Sequence, residues 1–154
     1  MSPLNALERH VRPNDPKLRT VSALPLFEGL GSTHLRYLTR QLDEVAFAPG
    51  DVLMRQGSYD NALYLVVGGE VEVTGDSRHR RTVGAGEWFG ECSMLRRGPA
   101  AATAVAKTAG RAMVMSRAQF RALKSCPSLL RRLRGGAGAG PAEPGGRAPE
   151  LVAN

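Results

Sequence analysis

The run Phe89-Gly90-Glu91-Cys92-Ser93-Met94-Leu95, followed by Arg96-Arg97-Gly98-Pro99 and Ala100-Ala101-Ala102-Thr103-Ala104, gathers residue types that could hold an anion. A glycine such as Gly90 lets a backbone come close to a bound group, and the free N–H groups of a helix starting after it face a negative charge. Glu91 adds a carboxylate, whose charge-assisted hydrogen bonds are stronger than neutral ones. The bland reading of Glu91 is a surface acid at a helix start, where the dipole stabilises it anyway. Other chemistries lack their parts. Cys92 and Cys126 form no CxxC pair, and His10, His34 and His79 are scattered, so neither a disulfide framework nor a metal site is indicated. Ser93 has no candidate base nearby in sequence, and no enzyme is expected.

Such a run needs a scaffold, and the surrounding texture supplies one. From Val45 onward, short β-prone runs (45–48, 52–55, 62–67, 71–74, 80–83, 102–107 and 111–115) are cut by glycine-containing turns, as in a sandwich or barrel. Glu70 to Thr74 alternates strictly, predicting a strand with one wet face. Leu63-Tyr64-Leu65-Val66-Val67 is continuously apolar and predicts a strand covered on both sides. Ahead of the strands, residues 18–30 predict a helical turn and an apolar plug. Ser32 or Thr33 then caps a helix whose Leu35, Leu38 and Leu42 share one face. After Met115, Ser116 is a plausible cap, Phe120 and Leu123 form an apolar edge, Pro127 interrupts, and Leu129, Leu130 and Leu133 begin a last short helix. The fold class is therefore mainly β, a jelly-roll-like β-roll flanked by N-terminal and C-terminal helices.

Length and composition agree with one domain. The chain has 154 residues, 42% of them hydrophobic and 23% charged. Residues 1–17 read as a flexible lead with a short helix around Leu4 to His10, 18–134 as the domain, and 135–154 as a disordered Gly/Ala/Pro tail. The net charge of +7 is concentrated between Arg117 and Arg134, a segment without acids. That segment is either a solvated helix face or an attractor for nucleic acid, an anionic membrane or an acidic partner. No apolar run suits a signal peptide or a membrane span, so a cytoplasmic protein with no membrane partner is expected.

Two stretches make the chain similar to a known family. Leu53-Met54-Arg55-Gln56-Gly57 with Leu63-Tyr64-Leu65-Val66-Val67-Gly68-Gly69 matches in part, Ser58 and Asp60 departing from the pattern. The run from Phe89 to Ala104 resembles more closely the phosphate-binding cassette of the cyclic nucleotide-binding domain, found in bacterial catabolite activator proteins, protein kinase A regulatory subunits and cyclic nucleotide-gated channels. The resemblance covers roughly residues 18–134. It implies a cAMP-type regulatory or sensor domain acting through its C-terminal helices, with Gly90, Glu91, Cys92, Ser93, Ala100, Ala101, Ala102 and Arg97 at the ligand. By the family's example Glu91 would accept from a ribose 2′-hydroxyl. Trp88, just before the cassette, is expected to be a core residue at a strand end.

One departure carries weight. Nine residues after the cassette glutamate the family places an arginine that pairs with the cyclic phosphate, and here Ala100 stands there. Losing such a partner costs roughly 2 to 5 kcal/mol, about thirtyfold to several thousandfold in affinity. Arg96 and Arg97, three or four residues earlier in the cassette loop, are the candidate substitutes, Arg97 the one carried into the ligand set, although loop arginines of this kind more often point into water. Ala101 stands where a threonine would favour guanine, so any preference leans to cAMP. The hydrophobic lid, expected from about Leu123 to Leu133, is left short by Pro127 and the glycine tail. Two other readings stay open: a degenerate fold that binds no nucleotide and serves as a protein-interaction module, and a truncated relative of a catabolite-activator-type transcription regulator. An unidentified protein partner is expected, and no specific DNA binding, since no helix-turn-helix follows the roll.

Overall fold

The computed structural model of the chain describes residues 15–59, 62–75, 80–121, 123 and 126–135. The expected helix around Leu4 to His10, Asp60 and the tail beyond Gly135 lie outside them. Helix α1 (Pro16–Ser22) starts at Asp15, whose carboxylate accepts the Lys17 N–H at 2.8 Å, and Pro16 occupies a first-turn position that needs no donor. This cap and proline start a helix at Pro16, within the segment read as the lead. A 3-10 turn, Pro25–Phe27, then carries Leu26 and Phe27 into the core. Helix α2 (Ser32–Arg40) buries Leu38, with Leu42 buried just beyond it and Leu35 partly so. Its N-cap is Gly31, without a side-chain capping bond. The expected caps Ser32 and Thr33 already lie in the first turn.

Among the described residues eight strands follow: β1 (Asp43–Phe47), β2 (Val52–Met54), β3 (Ala62–Gly68), β4 (Val71–Gly75), β5 (Arg80–Val83), β6 (Trp88–Phe89), β7 (Ala102–Ala106) and β8 (Gly110–Ser116). They form two four-stranded antiparallel sheets, ordered β1-β8-β3-β6 and β2-β7-β4-β5. Each predicted run is present with ends shifted by a residue or two, and β6 is additional, too short to show an alternation. At the β3–β4 turn Gly69 has φ +88°, and a Cβ there would sit 2.6 Å from the Ala109 carbonyl oxygen, so both conformation and space demand glycine.

The first sheet separates two cores. Between the sheets lie Phe47, Met54, Val66, Val71, Val73, Val83, Phe89, Ala104 and Ala112, with Tyr64 against them. On the outer face of the first sheet, Leu63, Leu65, Trp88, Met113 and Met115 meet the helical residues Leu26, Phe27, Leu38, Phe120, Leu129 and Leu133. Strand β3 thus alternates between two apolar environments, which is why its sequence is apolar throughout. Burying each such leucine or phenylalanine contributes about 1.5–3 kcal/mol. Among the described residues three further helices are present: α3 (Glu91–Arg96) between β6 and β7, α4 (Arg117–Phe120) and α5 (Pro127–Gly135). Ser116 caps α4 reciprocally with Gln119, as its sequence position predicts. Pro127 opens α5 instead of breaking a longer helix.

Candidate functional site

The cassette is built outward from β6. Phe89 stacks face to face on Tyr64, with centroids 4.7 Å apart, and Tyr64 donates its hydroxyl to the Leu53 carbonyl at 2.9 Å, locking β6 and β3 to β2. Gly90 follows at φ +96° and caps α3. A Cβ there would run into the carbonyl of Ala62, so the close approach made by this glycine is to strand β3. Beyond it Glu91 and Ser93 are buried, Cys92 is half-buried, and the Ser93 hydroxyl donates to the Gly90 carbonyl at 3.4 Å.

Glu91 is 8% exposed, an unusual place for a carboxylate. Burial pushes its proton affinity above the ordinary carboxylate range, and the Arg81 guanidinium draws it part of the way back. The Cys92 thiol lies 3.9 Å from the Glu91 carboxylate as a weak donor. Burial first, and then the neighbouring Glu91 charge, push that thiol up to about 12, against the pull of Arg96 and Arg81. Cys92 is thus no nucleophile at neutral pH.

The loop after α3 separates the remaining sequence-derived residues. Arg97 ends the helix in the left-handed conformation, φ 57°, with its side chain in solvent, so it is not brought to Glu91. The Arg117 guanidinium donates to the Gly98 carbonyl at 3.5 Å, tying this loop to α4. Ala100 is 3% exposed and packs into the inter-sheet core, whereas Ala101 is exposed and Ala102 half-buried. Leu123, Leu129 and Leu133, expected as a lid, are committed to the helix-side core, and the Arg132 guanidinium fixes α5 by donating to the Leu26 carbonyl at 2.6 Å. Part of the basic segment therefore works as internal fastening.

Arg81 is the charged residue that reading by motif passes over. On β5 it pairs with Val73 of β4, and Val71 pairs with Val83. Directly opposed residues of an antiparallel pair share a face, so Arg81 lies on the inner face with the buried valines. Its neighbour Arg80 lies on the outer face and pairs with Glu72 at 3.1 Å. Strand alternation could have found it, had Arg80-Arg81 been read as one residue out and one in. Among the described residues no group of three or more His, Cys, Asp and Glu side chains could hold a metal ion, and no helix is long and apolar enough to cross a membrane.

Comparison with known proteins turns on the same stretch. The family model for the cyclic nucleotide-binding domain matches residues 44–125, from β1 through the cassette and past α4. The chain belongs to the cyclic nucleotide-binding domain family. A cyclic nucleotide-gated potassium channel of Rhizobium etli is 31% identical over 115 residues, 74% of this chain and 32% of the channel. A cAMP-dependent protein kinase regulatory subunit of Yarrowia lipolytica is 37% identical over 87 residues, 55% of this chain and 23% of that subunit. The chain thus spans about a third or less of the length of these relatives. Among solved structures, the regulatory subunit of a cAMP-independent protein kinase A from Trypanosoma brucei superposes with a TM-score of 0.70 at 23% identity, covering 90% of this chain and 47% of that one. The mainly β architecture of two antiparallel sheets with flanking helices is that of the family's β-roll.

Proposed function

We propose that the chain is a regulatory module that takes a cAMP-type nucleotide between the cassette and the inner face of the second sheet. Binding is communicated to α4 and α5, and no catalysis is involved. The observation that carries this reading is Glu91, a carboxylate 8% exposed beside the inward-facing Arg81. Taking a carboxylate out of water costs several kcal/mol, and a group held at that cost marks a candidate functional site. In the proposed pose Glu91 accepts from the ribose 2′-hydroxyl, Gly90, Cys92 and Ser93 present the backbone of α3, and Ala101 and Ala102 line the far side. The Arg117–Gly98 contact supplies a route from cassette to helix. The expected ligand affinity is weak, because Ala100 cannot pair with phosphate. Titration calorimetry with cAMP and cGMP tests the proposal: saturable binding with amide shifts centred on residues 90–103 supports it, and silence at millimolar ligand defeats it.

A second reading has its own observation. The Ala100 methyl is part of the inter-sheet core, as in a roll that keeps its shape without a ligand. The structural neighbour from Trypanosoma brucei belongs to a kinase described as cAMP-independent. In this reading the domain is a constitutive protein-interaction module, and partner binding is unchanged by any cyclic nucleotide.

A further inference from the structure

We propose that Arg81 is the residue through which this site prefers an anionic ligand, taking over the task for which Ala100 has no charge. The inference deepens the nucleotide reading and rests on it. It starts from the register of the second sheet. Met54, Ala104, Val73 and Arg81 are successive partners across β2, β7, β4 and β5, and form one row on the inner face. Ala104 of that row shares the inter-sheet core with the cassette residues Ala100 and Ala102. Arginine suits the task, since its planar fork engages two phosphate oxygens at once and keeps its charge when half-buried.

The two arginines of the cassette itself, Arg96 and Arg97, are both exposed. Arg81 is half-buried, and its charge acts on both Glu91 and Cys92. Glu91 and Arg81 therefore form the two poles of one site, an acceptor for hydroxyls and a donor for oxyanions. Arg81 already has interactions within the protein, so a ligand anion competes for it. The competing role, in which Arg81 only balances the buried Glu91, predicts no discrimination between charged and uncharged ligands.

Calorimetry with cAMP and with adenosine, which lacks the phosphate, separates the two on wild type, Arg81→Gln and Arg81→Lys. Wild type is expected to bind cAMP more tightly than adenosine. Arg81→Gln is expected to weaken cAMP by about tenfold or more, while adenosine changes by less than about twofold. Arg81→Lys keeps the charge but not the fork, and its cAMP preference should fall between the two. Equal losses for both ligands, or none, overturn the role of Arg81. Should Arg81→Gln fail to fold, the lysine variant decides: a reduced cAMP-to-adenosine ratio supports the inference and an unchanged ratio overturns it. Wild type that binds neither ligand defeats the nucleotide reading itself, a result distinct from binding that ignores Arg81.

Discussion

Ala100 donates its backbone N–H to the carbonyl of Ser58 at 2.8 Å, and its own carbonyl accepts the Gly57 N–H at 2.9 Å. The position is held on both sides by the turn after β2 while its methyl faces the inter-sheet core. A longer side chain introduced here starts from a fixed Cβ and heads into the proposed ligand space. Ala100→Arg is expected to tighten cAMP binding at least about tenfold by calorimetry, through the bidentate contact that alanine lacks. The same variant should lose about 1–3 kcal/mol of ligand-free stability from overpacking. Unchanged affinity would mean that the cassette does not run in this register.

Gly90→Ala tests the join between cassette and scaffold. The residue sits at φ +96°, and its added methyl would meet the Ala62 carbonyl. Backbone strain alone should cost about 1–3 kcal/mol, and displacement of β3 adds to it. Urea unfolding measures the loss, and a change below about 0.5 kcal/mol would contradict the packing described.

Glu91 predicts a pH dependence of stability. Its folded-state proton affinity is raised above the ordinary value of 4.5, chiefly by burial. The folded protein then holds more protons than the unfolded chain from pH 4.5 upward to its own raised value. Stability contributed by this group is present below that window and lost as pH rises through it. Glu91→Gln removes the dependence. The melting temperature of the variant relative to wild type should therefore be higher at pH 7.5 than at pH 4, and a pH-independent difference would refute the assignment.

Cys92 should resist alkylation. With its thiol pushed up from 9.0 to about 12, the thiolate at pH 8.5 is scarcer than in a free cysteine by roughly three orders of magnitude. Mass spectrometry after iodoacetamide treatment of the folded protein is expected to find Cys92 largely unmodified, and rapid labelling would show the cassette open to water.

The β-roll was legible because its signals are local. Glycine turns and the doubly apolar β3 each follow from a few adjacent residues, as does the Ser116–Gln119 cap. The cassette was legible as a spacing, from Phe89 to Ala100. Two things were not. Strand β6 is two residues long and carries no period. Arg81 acquires its inward face only through pairing with Val73, a relation between strands that no window along the chain contains. The packing of the last helix was hidden for a related reason: Leu129 and Leu133 are apolar on one helical face, but the sequence does not say which core claims them. The helix-side core did, with Arg132 bonded to Leu26.

Trp88 and Phe89, adjacent on β6, point into different cores, the first against the helices and the second between the sheets. Trp88 is the chain's one tryptophan, 2% exposed, and among the described residues its indole Nε1 is the buried side-chain polar atom without a hydrogen-bond partner. The domain therefore carries its own optical gauge. Its fluorescence should be blue and poorly quenched at rest, and because the indole packs in the helix-side core beside Phe120, Leu129 and Leu133, a movement of α4 or α5 changes its surroundings. A red shift on adding ligand would time the arrival of the signal at the helical side without a label.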